Sequence, residues 1–189
     1  MTVSNSAPIP ADAANRIKLV IFDVDGVLTE AGIFVGSTMD GEPLELKRFD
    51  IQDGVGLKML MWAGLKVVLV TGRPSKATSI RALELGVQCH QVVDARKLPI
   101  VKDLIQKHAV GWEEVAMLAD DIPDLAVLRR VGLKAAVSNA TEPVLDIADW
   151  VALRPGGRGA AREFCDALLS ARSQLDDVIE TYVEERSRP

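Results

Sequence analysis

The sequence predicts an α/β domain built on a parallel sheet with helices on both faces. Short apolar runs recur along the chain, as is typical of strands that are buried on both faces. Segments with helical patterning lie between these runs, and two of them are followed by a glycine where a helix C-terminus is expected. Buried strands that alternate with helices of this length indicate a Rossmann-like parallel sheet.

The predicted elements follow one another in a regular order. The apolar runs predict strands at 17–22, 66–70, 114–119, 134–137 and 150–153. The intervening patterns predict helices at 56–63, 75–85, 98–107 and 123–131, the second and the last being closed by Gly86 and Gly132. The final segment, 159–186, is also expected to be helical.

A β-hairpin flap is predicted directly after the first strand. Its two arms, 34–36 and 44–47, flank a loop that carries the turn signal Asp40-Gly41. The hairpin therefore precedes the first long helix of the domain and is expected to line the entrance of any site at that end of the sheet.

Length and charge limit the class of protein. The chain has 189 residues and a formal net charge of -5, which argues against nucleic acid as a partner. A chain of this size can bury one core, so residues 16–189 are expected to form a single domain after a disordered leader at 1–15. The apolar runs are far shorter than the ~20 residues that a membrane span needs, so no membrane partner and a cytoplasmic location are expected.

Carboxylates and one hydroxyl stand where the predicted strands end. Asp23 and Asp25 follow the first strand, Thr71 follows the second, and Asp120 and Asp121 follow the third. Because ligands of a parallel α/β sheet bind at the carboxyl ends of its strands, we expect these side chains to meet at one rim. Their mutual repulsion calls for a cation, and an oxygen-rich set without His or Cys favours Mg²⁺.

Four short motifs, taken together in their order along the chain, indicate a protein family. They are Asp23-Val24-Asp25-Gly26-Val27, Thr71-Gly72-Arg73, Lys97 and Asp120-Asp121-Ile122-Pro123-Asp124. Each motif alone would more often be a turn or a helix start. In their order and spacing the four resemble the haloacid dehalogenase-like phosphatases, over about residues 17–171. The resemblance implies a Mg²⁺-dependent phosphomonoesterase that works through an aspartyl-phosphate.

The same resemblance implies a role for each motif residue. Asp23 would be the nucleophile, and it needs no separate base because a free Asp, with a pKa of about 3.9, is ionised at neutral pH. Asp25 would protonate the leaving oxygen and then activate water. Thr71 would donate its hydroxyl to the phosphoryl group, and Lys97 would balance the charge.

The remaining candidate residues would bind either the metal or the substrate. The implied metal ligands are Asp23, Asp25, Asp120, Asp121 and Asp124. The candidate substrate-binding residues are Gly72, Arg73, Lys47, Arg158 and Arg162. Lys97 is preferred to Arg96 and Lys102 as the motif lysine because it stands where a helix is predicted to begin. Ala119 replaces a glycine of the family pattern and adds a methyl group beside Asp120.

The motif spacing leaves no room for a cap domain. Asp25 to Thr71 can hold only the hairpin and one helix, and Thr71 to Lys97 only one helix and a short strand. An open site would be poorly shielded from water, so a neighbouring subunit is expected to supply the lid. Resemblance to the capless branch of the family implies a homo-oligomer, specifically a tetramer.

Three further stretches narrow the resemblance within that branch. They are residues 49–56, 70–73 and 155–163, the last of which is expected to close over a neighbour's site. They imply a phosphorylated keto-sugar acid as substrate, the 8-phosphate of a 3-deoxy-2-keto sugar acid of lipopolysaccharide synthesis. Two alternatives stay open: a nine-carbon sialic- or KDN-type 9-phosphate as substrate, and a non-catalytic regulatory or interaction subunit on the same scaffold.

Overall fold

The structure, a computed structural model, describes residues 7–187 as helices alternating with strands. The strands are β1 (Leu19–Phe22), β2 (Phe34–Ser37), β3 (Pro43–Leu46), β4 (Lys66–Thr71), β5 (Gln88–Gln91), β6 (Val115–Ala119), β7 (Leu133–Ala136) and β8 (Trp150–Val151). The α-helices are α1 (Ala11–Arg16), α2 (Ile51–Trp62), α3 (Lys76–Leu85), α4 (Lys97–His108), α5 (Leu125–Leu128), α6 (Glu142–Leu145), α7 (Ala160–Ala171) and α8 (Leu175–Arg186).

Within residues 7–187 a parallel sheet runs in the order β5-β4-β1-β6-β7-β8. The central strand β1 is buried along its whole length, and Leu19 is in register with Lys66 on one side and Val115 on the other. The predicted parallel sheet flanked by helices is therefore confirmed. Because β4 and β6 flank β1, the loops that follow these three strands meet at one edge.

Side-chain caps explain where two of the helices begin. The prediction started α2 at residue 56, but the helix begins at Ile51 because the carboxylate of Asp50 accepts a hydrogen bond from the amide of Gln52 at 2.8 Å. For α3 the hydroxyl of Ser75 accepts from the amide of Thr78, so this helix begins close to its predicted start.

Two helical predictions in the second half of the chain differ from the structure. The predicted helix at 123–131 is shorter, because a 3-10 turn (Ile122–Asp124) precedes α5. The segment 159–186 forms α7 and α8 rather than one helix, and Ser173, with a φ of 55°, lies in the break between them. Of the helices in residues 7–187, none combines the length and the apolar character needed to cross a membrane.

The prediction of a disordered leader at 1–15 is wrong for the part of it that the structure describes. Helix α1 is present, and Ile9 and Ala14 are buried in the core. From the end of α7 the Nη1 of Arg172 donates to the carbonyl of Ala14 at 2.7 Å. The segment is ordered because these apolar side chains pack against the domain, which an aperiodic composition does not reveal. Residues 1–6 lie outside the described range.

The predicted hairpin is present as a separate antiparallel pair of strands. β2 and β3 pair with Phe34 opposite Leu46, and their apolar side chains are largely exposed. No separate cap domain stands over the site in residues 7–187. The hairpin lies beside the carboxyl edge of the sheet, where Lys47 contacts Asp25.

Helices α2 and α7 pack closely against each other. A Cβ on Gly56 would lie only 3.1 Å from the Cα of Arg162, so the absence of a side chain lets the two helices approach closely at this crossing. From α2 the buried carboxylate of Asp53 accepts from the amide of Arg162 at 2.8 Å and from that of Gly159 at 3.3 Å. Burial raises the pKa of Asp53, and these amide donors oppose the rise. Asp53 therefore fixes the start of α7 and the glycine-rich loop before it.

Candidate active site

Three side chains at the carboxyl edge of the sheet form the floor of the candidate site. Asp23 follows β1, Thr71 ends β4, and Asp120 follows β6. The amide of Asp23 donates to the carbonyl of Leu118 at 3.2 Å, so the ladder between β1 and β6 extends to Asp23. Backbone hydrogen bonding thereby holds Asp23 and Asp120 side by side at the ends of two neighbouring strands.

The carboxylates of Asp23, Asp120 and Asp124 form a cluster. Each offers one oxygen, and these oxygens all lie within 4.8 Å of one another. Asp23 is 5% exposed and Asp124 is 1% exposed. The cluster lines a cavity of about 310 Å³ together with Thr71 and Lys97. Three acidic side chains therefore share one small space.

Gly26 allows the loop after β1 to pass close to this cluster. Its φ is 96°, and a Cβ there would lie 1.9 Å from Oδ2 of Asp120. Both the backbone conformation and the contact require glycine. The Asp25-Gly26 step is thus part of the packing of the site and not only a turn.

Lys97 supplies the positive charge inside the cluster. Its Nζ lies 2.7 Å from Oδ1 of Asp23 and 2.6 Å from Oδ1 of Asp124. Burial lowers the pKa of Lys97, but the attraction of these carboxylates outweighs burial and raises it overall. Among the three basic candidates, Arg96 and Lys102 are exposed, so the structure brings Lys97 to the site.

Two carboxylates of the cluster have strongly raised pKa values. Burial, followed by repulsion from Asp23 and Asp124, raises the pKa of Asp120 to about 8. Burial and repulsion from Asp23 raise the pKa of Asp124 to about 7, although Lys97 opposes this rise. The cluster is therefore costly to ionise without a further cation.

The donor set fits a hard divalent cation. Oδ1 of Asp120 and Oδ2 of Asp124 are buried, and neither has a hydrogen-bond partner among the described residues. Clustered carboxylate oxygens are the ligands that Mg²⁺ prefers, and neither His nor Cys belongs to the cluster. A bound cation would coordinate these free oxygens and would lower the pKa values of Asp120 and Asp124.

Asp25 lies beside the cluster and is held from the hairpin side. Nζ of Lys47 lies 2.6 Å from Oδ1 of Asp25 and 3.3 Å from Oγ1 of Thr78. The side chain of Lys47 is wholly buried, so this charge-assisted hydrogen bond fixes the direction of the carboxylate. The side chain of Asp25 therefore points to Lys47, not to the three-carboxylate cluster.

The loop after β4 brings Thr71, Gly72 and Arg73 to the cavity. Oγ1 of Thr71 accepts from the amide of Arg73 at 3.3 Å, which turns the chain tightly. A Cβ on Gly72 would lie 2.7 Å from the Cβ of Ala95, two residues before Lys97. Glycine thus lets this loop pack against the approach to α4.

Asp121 lines the cavity but is not part of the three-carboxylate cluster, so its role as a metal ligand stays a prediction. Its Oδ1 accepts from the amide of Ile122 at 2.7 Å and so caps the 3-10 turn, and the residue is exposed. The turn directs Asp124, and not Asp121, into the protein. The paired aspartates after β6 therefore divide between the cluster and a helix cap.

Two arginines that were predicted to bind substrate lie away from the cavity. Arg162 is on α7, where its Nε donates to Oδ1 of Asp166 at 2.8 Å. Arg158 is exposed, and its Nη2 lies 3.0 Å from Oε2 of Glu30. Neither lines the cavity that holds Asp23. Within one chain neither arginine reaches the cavity, because Arg162 pairs with Asp166 and Arg158 pairs with Glu30. Since this segment was expected to close over a neighbour's site, substrate binding by Arg158 and Arg162 stays a prediction.

The glycine-rich loop before α7 packs against the chain's own loop after β1. The amide of Gly157 donates to the carbonyl of Val27 at 2.8 Å, and a Cβ on Gly156 would lie 1.7 Å from the carbonyl oxygen of Gly26. From the hairpin end, Arg48 donates to the carbonyl of Gly157 at 2.7 Å. Within this chain the loop thus supports the backbone that carries Asp25.

Glu45 was not among the predicted residues, yet it contacts the site. It lies on β3 and accepts hydrogen bonds from Arg73 and Ser75. These two hydrogen bonds lower the pKa of Glu45. A signal was present in the alternation Leu44-Glu45-Leu46-Lys47, which places Glu45 and Lys47 on the same side of a strand.

A doubly covered parallel sheet, with this acidic cluster and a buried lysine at its carboxyl edge, defines the class as a haloacid dehalogenase-like hydrolase. No protein-family model matches the sequence. The chain is 39% identical over 173 residues to the 3-deoxy-D-manno-octulosonate 8-phosphate phosphatase KdsC of Escherichia coli (strain K12), with 90% of each chain covered. It belongs to the 3-deoxy-D-manno-octulosonate 8-phosphate phosphatase family.

Two further comparisons agree. The chain is 40% identical over 164 residues to KdsC of Salmonella typhi, covering 87% of this chain and 85% of that one. A crystal structure of 3-deoxy-D-manno-octulosonate 8-phosphate phosphatase from Moraxella catarrhalis superposes with a TM-score of 0.83 at 34% identity, covering 91% of this chain and 97% of the other. That protein is in complex with a magnesium ion, a phosphate ion and a KDO molecule.

Proposed function

We propose that this protein is a Mg²⁺-dependent phosphatase that hydrolyses 3-deoxy-D-manno-octulosonate 8-phosphate to the free sugar acid and phosphate. The observation that carries the proposal is the buried cluster of Asp23, Asp120 and Asp124 beside Lys97. It combines oxygen ligands for a cation with a positive charge for a phosphoryl group. The choice of substrate follows the relatives, which are named for this reaction.

Phosphoryl transfer begins at Asp23. An oxygen of its carboxylate attacks phosphorus and forms a new bond, while the bond from phosphorus to the C8 oxygen of the sugar breaks. Asp25 gives its proton to that oxygen. In the second half of the reaction Asp25 takes a proton from water, the water oxygen bonds to phosphorus, and the bond to Asp23 breaks. Phosphate leaves, and both carboxyl groups return to their starting states.

The groups around Asp23 stabilise charge during both steps. Asp23, Asp120 and Asp124, with the backbone carbonyl of Asp25, would hold Mg²⁺, which supplies electrostatic stabilisation of the phosphoryl oxygens. Thr71 donates its hydroxyl, and Lys97 offsets the negative charge brought by the substrate. Because Lys97 is already fixed by two carboxylates, its Nζ needs little rearrangement when the phosphoryl group arrives.

The hairpin supports a proposal about assembly. Phe34 and Val35 on β2 and Leu46 on β3 are each more than half exposed, although they are large apolar residues. A patch of this kind on a projecting element marks a protein interface. We therefore propose a homo-oligomer, specifically a tetramer, in which a neighbour helps to cover the open site. Separately, we propose a cytoplasmic location for the enzyme.

The proposed function is tested with the purified full-length protein and Mg²⁺. We expect a higher kcat/KM for the eight-carbon 8-phosphate than for a nine-carbon KDN- or sialic-type 9-phosphate and for p-nitrophenyl phosphate. Asp23→Asn should abolish turnover, whereas Asp12→Asn, an exposed change on α1, should not. Chelation with EDTA should also stop the reaction.

Other outcomes would revise the proposal. A higher kcat/KM for the nine-carbon compound would identify that 9-phosphate as the substrate, and the proposed reaction steps would stay the same. A protein that is inert on all of these esters, and whose Asp23→Asn form keeps its biological effect, would instead be a regulatory subunit. Full turnover in EDTA would overturn the metal assignment.

A further inference from the structure

Glu45 connects the hairpin to the edge of the cavity through two hydrogen bonds. Its Oε2 accepts from Nη2 of Arg73, and its Oε1 accepts from Oγ of Ser75 at 2.6 Å. Ser75 is itself fixed, because its amide donates to Oε1 of Gln91 at 2.6 Å and its carbonyl accepts from Nε2 of Gln91 at 3.1 Å. Arg73 is thus bound to a carboxylate that is anchored to the α3 cap and to β5.

The other amino group of Arg73 is left without a partner. Nη1 makes no hydrogen bond to any residue of the described range 7–187, and although this atom is buried, the Arg73 side chain as a whole is 43% exposed. Arg73 lines the same cavity as Asp23 and Asp25. The donors of a guanidinium lie in a rigid planar fork, so a carboxylate that fixes Nη2 also fixes the direction of Nη1.

The hairpin strand presents two charged residues on one side. Glu45 and Lys47 are two residues apart and so lie on the same face of an extended chain, whereas Leu44 and Leu46 lie on the opposite face and are exposed. Lys47 contacts Asp25, and Glu45 contacts Arg73. Each inward residue of the strand therefore holds one residue of the site.

We propose that Glu45 is a positioning residue, which holds Arg73 so that its guanidinium donates to an anionic group of the substrate remote from the phosphoryl group. This rests on the proposed function, in which the remote anionic group is the carboxylate of the sugar acid. The phosphoryl end is occupied by Thr71, Lys97 and the acidic cluster, whereas Arg73 lies on the side of the cavity next to β3. The hairpin thereby takes part in substrate selection from within its own chain.

The test compares Glu45→Gln with a matched change on the same hairpin. Glu42→Gln removes the same charge from an exposed residue that forms no ion pair within residues 7–187. Loss of a charge-assisted hydrogen bond should raise KM for the eight-carbon acid phosphate about tenfold in Glu45→Gln. The change for p-nitrophenyl phosphate, which has no second anionic group, should be much smaller, and Glu42→Gln should behave as wild type. Light scattering should show the same assembly for all variants.

A double-mutant cycle shows whether Glu45 acts through Arg73. Arg73→Ala should weaken binding of the acid phosphate at least as much as Glu45→Gln, and adding Glu45→Gln to Arg73→Ala should cause no further loss. Additive losses, or equal losses of kcat on both esters, would overturn the positioning role. A wild-type protein that prefers another ester would disprove the sugar-acid assignment, while the cycle measured on that ester would still decide the role of Glu45.

A chemical probe measures the same pairing without turnover. Phenylglyoxal modifies free guanidinium groups, and mass spectrometry reports the rate at Arg73. We expect this rate to rise severalfold in Glu45→Gln and to stay unchanged in Glu42→Gln. Equal rates in wild type and Glu45→Gln would contradict the proposal even if the protein turned over none of the esters.

Discussion

Lys97 and Asp124 form an ion pair that is almost completely enclosed by the protein. Nζ of Lys97 lies 2.6 Å from Oδ1 of Asp124, and the exposed fractions of the two side chains are 2% and 1%. The same Nζ also contacts Asp23. One lysine thus faces two of the three clustered carboxylates, and the cluster retains negative charge that a divalent cation can balance.

Replacing Lys97 should therefore reduce both stability and activity. Lys97→Met keeps much of the aliphatic stem but leaves buried carboxylates without their partner, and we expect a loss of about 3 kcal/mol in the free energy of unfolding. The kcat should fall about a hundredfold or more, because a preorganised charge at the phosphoryl group is lost. Urea denaturation and steady-state kinetics measure the two effects. Lys102→Met, an exposed change on the same helix, is the control, and equal behaviour of the two variants would refute the prediction.

Mg²⁺ should stabilise the protein more at alkaline than at acidic pH. The raised pKa of Asp120, about 8 against an ordinary value of 3.8, means that the folded protein without metal holds this proton more tightly than the unfolded chain. This contribution to stability is fully present below the pKa of Asp120 in the unfolded chain. It is lost as the pH rises through the pKa of Asp120 in the folded protein. A cation replaces the proton, so the rise in Tm caused by Mg²⁺ should be larger at about pH 9 than at about pH 6. Thermal denaturation with Mg²⁺ or EDTA measures it. In Asp120→Asn the pH dependence of this rise should be reduced, and a rise that does not change with pH in wild type would contradict the assignment.

Gly156→Ala should impair turnover although it lies outside the cavity. Its Cβ would stand 1.7 Å from the carbonyl oxygen of Gly26, so the two loops must move apart and the loop that carries Asp25 loses this support. Displacing a reacting group by about 1 Å can cost about a hundredfold in rate, and we expect a fall in kcat of that order. Gly32→Ala is the control, because its Cβ would meet only the side chain of Glu30 at 3.9 Å. Wild-type kcat in Gly156→Ala would show that the loop contact does not position Asp25.

The exposed hairpin residues should determine the assembly. Phe34 and Leu46 are opposite each other on β2 and β3, so replacing both with Ser removes one continuous part of the apolar patch. We expect this double variant to have a lower mass by light scattering than wild type. Leu83→Ser, which changes an even more exposed leucine on α3, should keep the wild-type mass. A monomeric wild-type protein with full activity would rule out a neighbour that completes the site.

The strand ends could be placed from the sequence, but the directions of the side chains beyond them could not. Parallel strands bring their carboxyl ends together, so Asp23, Thr71 and Asp120 could be expected at one edge. Asp121 and Asp124 follow the same strand and have the same chemistry. Which of them faces inward depends on a single 3-10 turn that Asp121 itself caps, and this local geometry is not contained in the residue types.

Long-range packing accounts for the other differences. Arg162 follows a glycine-rich loop, and the crossing of α7 on α2 places its Cα against Gly56, away from the cavity of its own chain. The order of the segment around Ile9 and Ala14 likewise depends on contacts with the distant end of α7. Contacts between residues far apart in the chain leave no periodic pattern, so they were not predicted.

The alternation along β3 limits where the hairpin can change in length. Glu45 lies toward the site and Leu46 lies away from it, in a register fixed by the pairing of Leu46 with Phe34. One extra residue within β3 would exchange the two faces, bringing a leucine to the site and moving the carboxylate outward. Extra residues at the turn around Asp40-Gly41 lie beyond the paired strands and leave this register intact. Insertions during evolution, or a peptide tag added by design, should therefore be accommodated at the tip of the hairpin and not within its strands.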